Sequence, residues 1–336
     1  MKKLVWFRRG KATPKIVWPL LALLILYLFN LIVMPGFFRV ELIDRHLYGN
    51  LIDVLNRGTP LVIVALGMTL VIAKEGIDIS VGSVLAIAGS MAIYMLNGHP
   101  LWVAIIAALA VGLLCGLWNG MLVAFLRIQP MVATLILLTV GRGIAQLITN
   151  GQILTTTQDS YEFIGKGFLF GIPFAVYIAI IVFILIYLLK TKTAFGLFLE
   201  STGANRKSSE FAGVKPRVIF MAAYAICGLL AALAGIIYSS NLSSADANNA
   251  GLWYELDAIL AVVIGGTSMR GGRFYLGGTV VGALFIQSLT TTIYSLGVPP
   301  ESILLVKAVV VILVCLIQSD VFRQKLTSAR RKVSAS

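Results

Sequence analysis

Few residues in this 336-residue chain have types and spacings that could do chemistry, and those few stand in apolar surroundings. The segment GIDISVG, from Gly76 to Gly82, interrupts an apolar pattern with Asp78 and Ser80. Two readings are open for that pair. They can cap the N-terminus of the helix that follows. They can also border a pathway or gate, because irregular backbone at membrane depth is tolerated only inside protein or beside a water-filled cavity. Arg142 and Lys307 fall within apolar runs, where a charge costs at least about 2.5 kcal/mol unless it snorkels, pairs or meets water. Each is expected either to pair with Glu75, Asp78, Glu255 or Asp257 or to serve the pathway. Asp78, Ser80, Arg142 and Lys307 are therefore the pathway or gate candidates. No catalytic residue is assigned, since the chain has no GxxxxGK[ST] loop, no HExxH, no G-x-S-x-G and no clustered carboxylate dyad. Cys115, Cys227 and Cys315 sit in apolar runs without ligand spacing, and His46 and His99 are isolated, so no metal site is expected.

The elements that must hold these residues are membrane spans. Hydrophobic residues make up 59% of the chain and charged ones 12%, against about a quarter charged in a soluble domain. Ten apolar runs stand out, at 16–34, 58–73, 80–96, 101–126, 130–149, 172–189, 217–238, 255–268, 275–296 and 301–318. Several approach or exceed the roughly 18 residues that cross a hydrocarbon core, and in lipid an open sheet leaves its backbone unsatisfied. The fold class is accordingly all-α and polytopic, with about ten transmembrane helices. The second and eighth runs are short for a full crossing and end in glycine-containing polar segments, as broken or re-entrant helices do. The first is read as a retained span, because no small-residue cleavage site precedes Met34 and Pro35.

Lysine and arginine set the orientation, since they accumulate in cytoplasmic loops. With the N-terminus inside, twenty-one of them fall on the cytoplasmic side and only Arg39, Arg45, Arg57 and Lys166 outside. Both termini are thus expected in the cytoplasm, which accounts for the formal charge of +13. The charges are dispersed without an aromatic platform, which argues against nucleic acid as a partner. The expected organisation is a cytoplasmic tail over 1–15, one transmembrane domain over 16–318 and a cytoplasmic tail over 319–336. A cytoplasmic loop at about 190–216 contains a helix-compatible stretch suited to docking, and acidic outer loops near 35–57, 150–171 and 239–254 offer a surface to a partner outside the membrane.

Gly112, Gly116 and Gly120 recur every four residues, one face of a helix that another backbone can approach closely. Gly278 and Gly282 read the same way. The segments GMTLVIAKEGIDISVGSVLAIAG and AILAVVIGGTSMRGGRFYLGGTVVGALF share a layout of span, glycine-containing break and small-residue span, an arrangement that points to transporters.

Four motifs, LNRGTPLVIVALGMTLVIAKEGIDISVGSVLAIAG, IQPMVATLILLTVGRGIAQLITNGQ, GANRKSSEFAGVKP and ADANNAGLWYELDAILAVVIGGTSMRGGRF, occur in this order between about Ile52 and Gln318. Together they resemble the ribose, xylose, arabinose and galactose family of ABC-importer permeases, and the run from Ala245 to Phe274 is most similar to the galactofuranose type. The resemblance implies a multi-pass protein of the bacterial inner membrane that moves a monosaccharide inward by alternating access. It binds no cofactor itself, ATP and Mg being used by a partner ATPase subunit. A periplasmic sugar-binding protein would deliver the substrate, and a second permease chain, identical or different, would complete the membrane unit among its lipids. Gly203, Ala204, Asn205, Glu210 and Gly213 resemble the family segment that docks on the ATPase. The chain departs from the family in having Lys74, Glu75 and Gly76 where Thr-Gly-Gly is usual, and Arg270 where a small or apolar residue is common. The competing readings are an importer permease for another small polar solute such as a nucleoside or amino acid, a self-sufficient secondary transporter or channel, and a membrane enzyme.

Overall fold

The computed structural model describes residues 16–43 and 46–318, and both predicted tails lie outside them. Each of the ten apolar runs is a helix. They are α1 (Val17–Val33), α2 (Asn50–Ile72), α3 (Val81–Leu96), α4 (Leu101–Ala124), α5 (Pro130–Thr149), α7 (Phe174–Lys192), α10 (Pro216–Leu242), α11 (Tyr254–Ile264), α12 (Leu276–Ser295) and α13 (Pro300–Gln318). Among the described residues three more α-helices lie between them, α6 (Asp159–Lys166), α8 (Ala194–Ala204) and α9 (Arg206–Phe211), with a 3-10 turn at Pro35–Phe38. The strands among the described residues are short pairings in the connections.

Local chemistry sets the helix ends. Proline occupies the first turn of α5 and of α10, where its missing amide would be unsatisfied anyway. Asn150 and Ser243, both left-handed, terminate the same two helices. Glu75 takes the left-handed position after α2, and the Gly76 amide returns to the Val71 carbonyl.

Among the described residues, six helices, α2, α4, α5, α7, α10 and α12, are long and apolar enough to cross a membrane. The second run was expected to be short. It is a full 23-residue helix, because the polar Asn50–Arg57 turns continue it beyond the apolar stretch. The eighth run, α11, is only 11 residues long, about 16 Å at 1.5 Å per residue, and cannot cross alone. Layering follows from burial: the apolar windows of α2, α10 and α12 are 83%, 67% and 61% buried, while those of α4, α5 and α7 are 22%, 28% and 17% buried. The outer helices expose Ile180, Ile181, Ile184 and Leu185 among many others, a surface that suits lipid rather than water.

Small residues close the seams around α10. A methyl built on Gly116 would stand 2.3 Å from the Tyr224 carbonyl oxygen, one on Gly112 would meet Ala232 Cβ at 2.3 Å, and one on Gly120 would meet Met221 Cα at 2.9 Å. Gly235 faces Leu85 of α3, and Gly67 of α2 faces Cys227, in the same manner. Lipid tails are as apolar as leucine, so such close backbone packing replaces the hydrophobic drive that water would supply.

Candidate functional site

The break between α2 and α3 is sealed by polar side chains from its neighbours. Asp78 Oδ1 accepts from the Ser80 amide at 3.0 Å and from the Ser80 hydroxyl at 2.6 Å. Asn119 of α4 donates to Ser80 Oγ at 2.8 Å, and Thr134 of α5 accepts from the Ile79 amide at 3.3 Å. Asp78 and Ser80 are both buried. Ser80 does not cap α3 through its side chain; Asp78 instead holds the amide of the residue before the helix. Tyr224 Oη is buried beside Gly76 without a hydrogen-bond partner.

A second cluster joins three chain segments at the end of the bundle that carries α8 and α9. The Gly272 amide donates to the Ala73 carbonyl at 2.9 Å, linking the break after α11 to the end of α2. Gly203 of α8 is wedged between them. A methyl there would lie 1.9 Å from the Ala73 oxygen and 2.7 Å from the Gly272 nitrogen. Gly271 and Gly272 both adopt positive φ, which lets the chain turn back on itself here. Lys74, one of the residues that depart from the family pattern, donates to Thr202 Oγ1 at 2.6 Å and lies over the Phe220 ring at 4.1 Å. Lys190 bridges to Glu200 at 3.3 Å, packs over Phe274 and donates to its carbonyl. Lys74 and Lys190 thus tie α8 to the transmembrane bundle.

The docking candidates lie at the edge of this cluster. Gly203 is buried in the last turn of α8, Ala204 ends that helix and Asn205 follows it, both exposed, and Asn205 caps α9 by accepting from the Ser208 amide at 3.0 Å. Glu210 pairs with Arg206 at 3.4 Å on the exposed face, and Gly213, with φ +83°, turns the chain toward α10. Phe211 escaped the sequence reading: it stands 90% exposed at the tip of α9. Its place within GANRKSSEFAGVKP, a motif otherwise polar or small, was the available signal.

Arg142 and Lys307 are in neither cluster. Arg142 of α5 donates to the carbonyls of Ala247 and Ala250, pinning the loop before α11. Lys307 of α13 makes a two-oxygen ion pair with Asp257 of α11, at 2.9 and 3.2 Å. The four pathway candidates therefore occupy three separate places.

Comparison with known proteins supplies what geometry does not. Residues 50–315 match the model of a family described as branched-chain amino acid transport system / permease component. The chain is 50% identical to the galactofuranose transporter permease protein YtfT of Escherichia coli K12, over 95% of this chain and 96% of that one. It is 40% identical to the fructose import permease protein FruF of Bifidobacterium longum, over 97% and 94% of the two chains. With the ribose import permease protein RbsC of Escherichia coli K12 the identity is 39%, over 89% and 92%. No solved structure matches.

Proposed function

The chain belongs to the branched-chain amino acid transport system / permease component family, and from that premise we propose that it is the membrane-spanning permease subunit of an ABC importer that brings a monosaccharide into the cell. The observation that carries this reading is likeness along nearly the whole chain to permeases named for three different sugars. It is a transport component and not an enzyme. ATP and Mg belong to a separate ATPase subunit, and a periplasmic binding protein and a second permease chain complete the assembly. The protein is multi-pass in the bacterial inner membrane, with ten helices embedded and the α8–α9 end and both termini in the cytoplasm.

The α8–α9 pair is the natural coupling element. Phe211 and the exposed face of α9 meet the ATPase, while Gly203, Lys74 and Lys190 hold α8 against the two breaks. Because Gly203 has no space in which to yield, displacement of α8 passes to Ala73 and Gly272 together. Movement of those breaks is the alternating-access step, with Asp78, Ser80 and Asn119 fixing the geometry of one of them.

The test is reconstitution of the chain, with the ATPase and binding protein that copurify with it, into proteoliposomes supplied with labelled D-galactose, D-fructose and D-ribose. Uptake of at least one, dependent on ATP, is expected. Flux through the purified chain alone under an ion gradient would refute the reading in favour of a self-sufficient carrier. Competition by leucine and not by sugars would reassign the substrate.

A further inference from the structure

At the end of the bundle opposite α8 and α9, a cavity of about 560 Å³ opens between α2, α10, α11, α12 and α13, within the range of about 300–1,000 Å³ usual for small-ligand sites. Its polar lining is unusual for a crevice among spanning helices. Arg57, Asn241 and Gln287 all face it, and among the described residues none of the three side chains forms a hydrogen bond or ion pair within the chain. Lys307 and Asp257 also line it but satisfy each other. Asn241 and Gln287 are half-buried, and two amides left unpaired inside a membrane domain would be costly, so this space suits water or a polar solute, with the exposed Arg57 at its mouth.

Aromatic faces border the same space. Tyr238 and Tyr254 meet edge to face with ring centroids 5.8 Å apart. Trp253 lies at the rim, 49% exposed, with φ +67°. A bulky residue in the left-handed region is strained, and such strain persists where the surroundings impose it, often at ligand sites. Unpaired donors and acceptors beside a flat aromatic face match the two surfaces of a sugar, a rim of hydroxyls and a patch of C–H bonds.

We propose that this cavity is a weak binding site for the hydroxylated ring of a neutral monosaccharide, used in passage, with Gln287, Asn241 and Arg57 bonding hydroxyls and Trp253 covering the ring. The site rests on the monosaccharide reading above and adds a place within this chain where the sugar is recognised. An amino acid fits the described lining poorly: Arg57 would take the carboxylate, but Asp257, the acid among the described lining residues, is committed to Lys307. Weakness is a requirement, since a solute in transit must leave as readily as it enters.

The experiment uses the reconstituted complex and measures ATP-driven uptake of D-galactose, D-fructose and D-ribose, singly and in competing pairs, for wild type, Gln287→Ala, Trp253→Ala and Trp253→Phe. Gln287→Ala and Trp253→Ala are expected to lower uptake of the preferred sugar about tenfold, the effect of losing one good contact, and to shift the ratio between sugars about fivefold. Stimulation of ATP hydrolysis by loaded binding protein should stay within about twofold of wild type, and Trp253→Phe should recover most of the uptake. A uniform fall for all three sugars, or unchanged ratios, would overturn the site and leave the importer reading intact. If wild type carries none of the three while its ATPase responds to the binding protein, the monosaccharide reading falls and the site with it.

Discussion

The Lys307–Asp257 pair lends itself to a quantitative test. Lys307 is 8% exposed, and its ammonium lies 2.9 and 3.2 Å from the two Asp257 oxygens. Removing one partner of such a pair strands the other charge, at a cost of about 3–5 kcal/mol in a closed interior. The cavity beside this pair admits water, so the lower figure of about 2–3 kcal/mol applies to Lys307→Met or Asp257→Asn alone. The double variant strands nothing and should cost about 1 kcal/mol, the packing of α13 on α11 being kept. Heating the detergent-solubilised protein and measuring what remains monodisperse reads this directly. Each single variant is expected to melt about 2 °C lower than the double variant. Single variants as stable as the double would refute the reasoning, because neither charge would then be sealed from solvent.

Gly116→Val should cost at least about 3 kcal/mol by forcing α4 off the Tyr224 carbonyl, read as loss of folded protein from the membrane fraction; undiminished yield would show that the seam can open. Gly203→Ala leaves no room for its methyl at Ala73 and is expected to reduce uptake at least about fivefold more than it reduces ATP hydrolysis, a gap of about 1 kcal/mol. Equal loss of both would mean that the junction only supports assembly. Burial, with the Arg206 charge second, pulls the Lys74 ammonium from 10.5 down to about 7. The unfolded chain thus holds more protons than the native one between those values, and stability should rise as pH rises from about 7 toward 10.5. Lys74→Met should abolish that rise in thermal stability, and a slope equal to that of wild type would exclude Lys74 as its source.

The sequence could disclose the helices but not their neighbours. A run such as Leu101–Ala124 is helical because lipid leaves its backbone no other partner, and the four-residue glycine spacing on α4 could be read as a contact face from the same physics. What touches that face could not: Tyr224, Gly228 and Ala232 lie about a hundred residues away. Charges showed the same limit. Asp257 was one of four acids open to Lys307 and Arg142, and the distance along the chain gave no way to choose. Arg142 found backbone carbonyls instead of an acid, an outcome that residue types alone do not signal. Lys74 was visible only as a departure from a family pattern, since its partner Thr202 belongs to a helix whose position against the bundle is set by Gly203.

One short helix connects the two ends of the molecule. At its start α11 carries Tyr254 and Asp257, which line the cavity; after its end, the break through Gly272 bonds to Ala73 beside Gly203. Too short to span, it covers part of the way with about 16 Å of helix, and the break from Gly265 to Gly272 covers the rest. Its packing leaves little freedom to bend along the way. Methyls on Gly278 and Gly282 of α12 would stand 2.1 and 2.2 Å from the carbonyl oxygens of Gly265 and Ala261, so the end of α11 is held in backbone contact with α12 over about one turn. A push on α8 that displaces Ala73 and Gly272 therefore acts on the foot of a rigid element whose head forms part of the proposed sugar site. In this arrangement the length of α11 is a functional property: a spanning helix would be anchored at both membrane faces, whereas an 11-residue helix between a glycine-rich break and a left-handed Trp253 can tilt as a unit. Uptake that survives Gly203→Ala at full coupling would break this chain of contacts at its first link.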